Sequence, residues 1–319
     1  MKLNLSRNYN SIIPYIKIAR PDHWIKNVLI VPGVIVALFF SKNETNFKLL
    51  IDLFSSTLAL CIASSANYII NEYLDRNTDK FHPIKKDRVS VMGLVSSKGV
   101  IISYIIFSSL SLVVAYYVSF SVAIFTFFLL IMGIIYNVHP IRSKDISYLD
   151  VLTEGINNPI RFLIGWAAVI PSTIPPTSIL FAYWFGGCFL MTVKRLSEFK
   201  RYEGSKNLLK YRKSFKYYSL TSLVVVANFY TILFAFFISV FLFKYKLEFI
   251  LCMPLYAILF SWYLSMGLNK NSSVENPERL HTNYSFVFFS FFVLVATIIC
   301  AWIKLPWLNL LLKPLIFNF

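Results

Sequence analysis

Long apolar runs, each ended by a few polar residues, fill most of this 319-residue chain. A helix that crosses a bilayer needs about 20 mostly apolar residues. The pattern predicts nine such helices, at 24–41, 49–71, 99–118, 120–137, 152–171, 177–194, 219–243, 248–268 and 285–304. The turns at 118–120 and 171–177 are short, and Pro171, Pro175 and Pro176 mark the second as a break. Three polar stretches, 72–98, 138–151 and 195–218, are long and charged, whereas the connections on the other side are short and bland. Residues 68–81 read as the helical end of the second span and its continuation, stopped by His82-Pro83. The expected architecture is all-α and polytopic, one transmembrane domain over 1–319 without soluble domain or short repeat.

Composition agrees. The chain is 57% hydrophobic and 14% charged, against about 25% charged for soluble domains. The hydrophilic stretch 1–20 precedes the first apolar run, and no small-residue cleavage site ends that run, so the first span is expected to be retained. The net charge of +16 is strongly segregated: of 31 Lys and Arg residues, 24 fall on one side of the nine-span arrangement. Lys42, Lys48, Lys244, Lys246, Lys304 and Lys313 fall on the other, and Arg161 lies within a span. Cationic loops stay in the cytoplasm. The N-terminus is therefore expected inside and the C-terminus outside, in a membrane of the bacterial inner-membrane type. The cations flank apolar helices and face anionic lipid headgroups, which excludes nucleic acid as the partner. Cys61, Cys188, Cys252 and Cys300 are dispersed within spans and read as small buried apolar residues, with no disulfide or metal site.

The chemistry concentrates on the cationic side. Asn71, Asp75 and Asp79 are spaced i, i+4, i+8 and stack on one helix face. An amide oxygen and two carboxylates are hard ligands suited to Mg²⁺, which prefers carboxylates together with phosphate oxygens. An intramembrane enzyme acting on a diphosphate is the expectation; solvated pairing of the acids with Arg76, Lys80 or Lys85 is the alternative. Lys85 and Arg88 follow and suit residual phosphate charge, unless they are ordinary loop cations. Arg20 and Lys26 lie in a dense polar cluster with Asp22, His23, Trp24 and Asn27 at the entry to the first span. Tyr136, Arg142 and Lys144 lie near the start of the second charged stretch. Arg161 stands at bilayer depth, which costs at least about 2.5–3.5 kcal/mol. It calls for a polar cavity or bound anion, or for a structural pair with Asp150 or Glu154. Lys194, Arg195 and Glu198 end the sixth span, where Lys194 and Glu198 could simply pair.

These residues resemble the UbiA superfamily of intramembrane prenyltransferases. The segment 71–79 matches its N-x-x-x-D-x-x-x-D motif, and the likeness continues through Arg20-Pro-x-x-Trp24-x-Lys26-Asn27, Asp79-x-x-His82-Pro83-x-Lys85-x-x-Arg88, Arg161-Phe-Leu-Ile-Gly165 and Lys194-Arg195-x-x-Glu198. The resemblance implies nine helices around a lipid-open cavity with a cytoplasmic-face site. The additional motifs look most like the decaprenyl-phosphate phosphoribosyltransferase branch. That implies transfer of phosphoribose from phosphoribosyl diphosphate to a polyprenyl phosphate with Mg²⁺ as cofactor, Asp75 and Asp79 being catalytic and metal-binding together with Asn71. Superfamily prenyltransferases carry a second Asp set at the end of helix 6. Lys194 and Arg195 stand there instead, and two cations repel metal but attract phosphate. A prenyltransferase using a prenyl diphosphate remains the alternative. A lipid or anion transporter fits less well, because the polar residues crowd one face. The sequence sets no oligomeric state.

Overall fold

The structure is a computed structural model describing residues 12–41, 46–82, 85–203, 208–269, 273–275, 280 and 282–311. Pro83 and the cations Lys2, Arg7, Lys42, Lys206, Lys270, Arg279 and Lys313 lie outside these. Among the described residues all regular structure is helical. In chain order the helices are α1 (Ile13–Ala19), α2 (Val31–Phe40), α3 (Phe47–Asp79), α4 (Ser97–Val118), α5 (Phe120–Asn137), α6 (Leu149–Gly155), α7 (Asn157–Val169), α8 (Thr177–Tyr202), α9 (Leu208–Tyr211), α10 (Leu220–Tyr245), α11 (Met253–Gly267), α12 (Tyr284–Trp302) and α13 (Pro306–Leu311). A 3₁₀ stretch, Pro21–Ile30, joins α1 to α2, and another, Leu247–Cys252, leads into α11.

Local chemistry sets the boundaries. Asn46 caps α3 by accepting from the Leu49 amide at 2.9 Å, and Ser96 caps α4 through Gly99 at 3.1 Å. The break at 118–120 is one residue: Ser119 is extended and its hydroxyl accepts from the Val122 amide at 3.2 Å, starting α5. The predicted span 152–171 is divided at Ile156. Pro159 sits in the first turn of α7, where its missing N–H leaves no helix bond unmade.

Seven segments among the described residues are long and apolar enough to cross a membrane: Ile13–Phe40, Phe47–Asp79, Ser97–Val118, Phe120–Asn137, Thr177–Tyr202, Leu220–Tyr245 and Leu247–Gly267. The two other predicted spans correspond to the divided α6–α7 and to a shorter apolar helix, Tyr284–Cys300. Burial is inverted relative to a soluble protein. Phe54, Phe243 and Phe288 are exposed, while Glu72, Asp79, Arg142, Lys144, Asp150, Arg195 and Glu198 are buried.

The chain forms two compact units: Met1–Pro175 with Tyr202–Ser222, and Pro176–Arg201 with Leu223–Phe319. In the first, α3 packs on α4, α5 and α7. Its core joins Ala59, Leu60, Ala63 and Ala66 of α3 to Ala115, Val122, Leu129, Ile160 and Ile164. Small residues let helix backbones approach where lipid supplies no hydrophobic drive. Two glycines mark such an approach where α2 and the 3₁₀ stretch before it meet α7: a Cβ on Gly33 would lie 2.1 Å from the Phe162 carbonyl oxygen, and one on Gly165 2.4 Å from that of Ile30.

In the second unit Phe189 stacks on Phe260 at 4.5 Å, and Phe260 on Phe234 at 4.6 Å. Arg201 pairs with Glu275 at 2.8 Å. Of the four cysteines expected as small buried residues, Cys61, Cys188 and Cys252 are buried and Cys300 is partly exposed. All four cysteines are free, yet the Cys252 and Cys300 sulfurs lie 3.5 Å apart, because α12 packs on the 3₁₀ stretch that carries Cys252.

Candidate active site

No Gly or Pro interrupts Phe47–Asp79, so α3 continues past its apolar part. Its final turns carry Asn71, Glu72, Asp75 and Asp79 into a network of hydrogen bonds and ion pairs within the first unit. Asp75 Oδ1 accepts from Arg142 Nη2 at 2.9 Å and from Lys144 Nζ at 2.5 Å. Both cations come from the turn after α5. Arg142 sits there at φ +34°, a left-handed conformation costing about 1–2 kcal/mol in a non-glycine residue. Its other nitrogens donate to the Asn137 carbonyl at 3.0 Å and to Asp145 at 3.1 Å, bonds that hold the turn. Asn137 is the hub: its Oδ1 accepts from Lys144 at 2.8 Å and from the Asn71 amide nitrogen at 2.5 Å. Burial pulls Lys144 down to about 8; Asp75 opposes this, and Arg142 and Arg212 add to it.

Asp79 pairs with Arg88 through Oδ2. Arg88 also lies 4.0 Å from Glu72, which takes Nε of Arg20 at 2.9 Å, pairs with its Nη2, and has the Ser90 hydroxyl at 3.2 Å. Lys85 donates to the Tyr211 hydroxyl at 2.6 Å and stands 4.9 Å from that ring's centre. The Tyr136 hydroxyl accepts from Arg212 at 3.0 Å, and Arg212 reaches Asp150 at 3.6 Å. Asp150 is fully buried and also takes the hydroxyls of Tyr218 (2.7 Å) and Ser214 (3.1 Å).

The alternative, solvated pairing of the two acids with Arg76, Lys80 or Lys85, is not what the side chains do: their ion pairs are with Arg88, Arg142 and Lys144. Arg76 instead donates to the Tyr73 carbonyl at 2.8 Å. Nor does Arg161 pair with Asp150 or Glu154. It donates to Asn27 Oδ1 at 3.3 Å and Asn158 Oδ1 at 3.1 Å, with Ser64 and Cys61 bonded to Asn27, so its partners are neutral. Lys26 bonds His23 Nδ1 at 2.8 Å. In the second unit Arg195 pairs with Glu198 at 2.7 Å, and Lys194 precedes them on α8.

Glu72, Asn137, Tyr211 and Arg212 were not singled out in the sequence. Glu72 was findable, three residues before Asp75 and seven before Asp79 on the same helical face. Arg212 and Tyr211, far along the chain from α3, gave no local signal.

The donor chemistry fits a divalent cation. Asn71, Asp75 and Asp79 each keep one oxygen, Oδ1, Oδ2 and Oδ1 respectively, with no hydrogen-bond partner among the described residues. Among those residues no three His, Cys, Asp or Glu side chains converge. A cation held here would take at most two carboxylates and an amide from the chain and the rest of its shell from a ligand. Three cations on the two acids disfavour a bare metal ion and favour one arriving with a polyanion.

Residues 29–293 match the UbiA prenyltransferase family. A decaprenyl-phosphate phosphoribosyltransferase of Mycolicibacterium smegmatis is 26% identical over 223 residues, 66% of this chain and 64% of that protein. The 34 kDa chain of bacteriochlorophyll synthase of Chloroflexus aurantiacus is 25% identical over 198 residues, 61% of each chain. The chain thus spans less than two thirds of the length of these relatives. A UbiA homologue from Archaeoglobus fulgidus solved with GPP and Mg²⁺ has the same fold, with a TM-score of 0.64 at 20% identity over 88% of this chain and 99% of that one. The breadth of the match, together with the seven long apolar helices, makes this chain an integral membrane protein that belongs to the UbiA prenyltransferase family.

Proposed function

We propose that the protein transfers 5-phosphoribose from phosphoribosyl diphosphate to a polyprenyl phosphate, in a Mg²⁺-dependent reaction at the cytoplasmic face of a nine-span domain. The observation that carries this reading is the excess of cation over acid around the motif: Arg88, Arg142 and Lys144 sit on Asp75 and Asp79. The likeness to decaprenyl-phosphate phosphoribosyltransferases supports the choice of substrates. So does the end of α8, where Lys194, Arg195 and Glu198 stand in place of a second aspartate set.

Asn71, Asp75 and Asp79 would hold the metal through their unpartnered oxygens. When bound, a divalent ion supplies charge neutralisation for the departing diphosphate. Arg88, Arg142 and Lys144 turn their donors from the carboxylates to the diphosphate oxygens. Lys85 and Arg20 add donors at the same rim, and Tyr136 keeps Arg212 in place. An anionic oxygen of the acceptor phosphate attacks the sugar C1 as the bond from C1 to the diphosphate breaks. That oxygen arrives deprotonated, so no general base is needed. Arg161, held by neutral amides, offers a fork to the acceptor phosphate. Lys26, Lys194, Arg195 and Glu198 are further substrate-binding residues.

A second reading has a specific support. The likeness to a bacteriochlorophyll synthase chain, and to a homologue whose structure is bound to GPP, favours transfer of a prenyl group. Purified protein with Mg²⁺, given labelled phosphoribosyl diphosphate plus polyprenyl phosphate or a labelled prenyl diphosphate plus acceptor, separates the two. Labelled phosphoribosyl lipid is expected from the first donor; label entering lipid only from the second overturns the proposal.

A further inference from the structure

The Cys252 and Cys300 sulfurs, 48 residues apart in the chain, are 3.5 Å apart in the second unit. Three other contacts fix the same junction without them. Lys246 Nζ donates to the Ile303 carbonyl at 2.6 Å, the Leu305 amide to Glu248 at 3.1 Å, and the hydroxyls of Tyr256 and Thr297 meet at 2.8 Å. The two segments are therefore held in register, and the thiols face each other as a consequence. In the orientation proposed above, this junction belongs to the sparsely cationic outer side with Lys244, Lys246 and Lys304. Disulfides persist on that side of a bacterial inner membrane and not in the cytoplasm.

We propose that Cys252 and Cys300 are a cross-linking site, oxidised to an intramolecular disulfide by exchange with a thiol-oxidising protein disulfide. Exposure sets the order of events. Cys252 is buried and Cys300 is partly exposed, so the Cys300 thiol loses its proton and attacks the oxidant's disulfide. One oxidant sulfur leaves as thiolate and a mixed disulfide forms. The Cys252 thiol then loses its proton and attacks Cys300 Sγ, releasing the second oxidant sulfur. Two protons and two electrons leave the pair, and the oxidant becomes a dithiol. The sulfurs must close from 3.5 Å to about 2.05 Å, a movement within reach of side-chain rotation. The bridge ties α12 to the start of α11 and closes a long loop, the arrangement in which a cross-link restrains the unfolded chain most.

The inference rests on the proposed orientation and is independent of the substrates. The full chain, expressed in a Gram-negative host, is acid-quenched in membranes, blocked with N-ethylmaleimide in SDS, reduced, and labelled with maleimide–polyethylene glycol. The expected result is a shift by two adducts, absent from Cys252→Ser and Cys300→Ser, with a Cys252–Cys300 peptide by mass spectrometry. Reductant should lower the thermal midpoint of the wild type by several degrees and leave Cys300→Ser unchanged. An unshifted band with no cross-linked peptide overturns the inference. Reporter fusions at Lys246 run alongside: an outer location leaves the orientation standing when the bridge fails, and an inner location removes both.

Discussion

Asp75 and Arg161 lie in one unit and differ in what holds them, so their substitutions should fail differently. Asp75 is held by two cations. In Asp75→Asn, or in Asp79→Asn opposite Arg88, the acceptor geometry survives and the charge is lost. Turnover should fall by at least about 100-fold, while protein still inserts and elutes as a single folded peak; near-full activity in both variants would sink the metal assignment. Among the described residues Arg161 has only amide oxygens as partners, so Arg161→Ala strands no carboxylate there. Its thermal midpoint should stay near that of the wild type, while the acceptor KM rises about tenfold, a loss of roughly 1.4 kcal/mol. A large fall in midpoint with KM unchanged would make Arg161 a structural residue. The sequence spacing revealed Asn71, Asp75 and Asp79 because helical periodicity places them on one face. It did not reveal which cations meet them: Arg142 reaches Asp75 only because the turn after α5 enters a left-handed conformation at that residue. No local pattern reports such a pairing across 67 residues.

Helix-scale organisation was more legible. Long apolar runs gave α3, α4, α5 and α10 to within a few residues, since a bilayer demands length and apolarity together. Two features escaped. The first span begins earlier than expected, at Ile13, and its middle, Pro21–Ile30, is 3₁₀, a stretch that Pro21 opens after a left-handed Arg20 and that ends just before Pro32. The fifth is divided, because Asn157-Asn158-Pro159 opens a new helix instead of continuing the old one. The resemblance had marked Gly165 only as part of a motif; its place against the Ile30 carbonyl gives the physical reason. Gly165→Leu should separate α2 from α7 and cost at least about 1–3 kcal/mol, measured as a lower thermal midpoint in detergent. An unchanged midpoint would contradict the packing described.

Across the whole chain, segregated charge is the strongest guide to orientation. Alkaline phosphatase fused after Lys246 should be active and the same reporter fused after Glu203 inactive, the pattern expected for an inner N-terminus and nine crossings. The reverse pattern would move the acidic motif to the outer face and remove its access to a cytoplasmic donor.

Arg88, Arg142 and Lys144 also bear on inhibition. In the proposed site, acids already paired with these cations are electrically quiet until a guest brings enough negative charge to claim the cations. Uncharged ribose mimics should therefore bind poorly however well they copy the ring, and the useful starting scaffolds are bisphosphonates. If the proposed site is right, such compounds would recruit the freed guanidinium and ammonium groups and a metal at the acids in the same act.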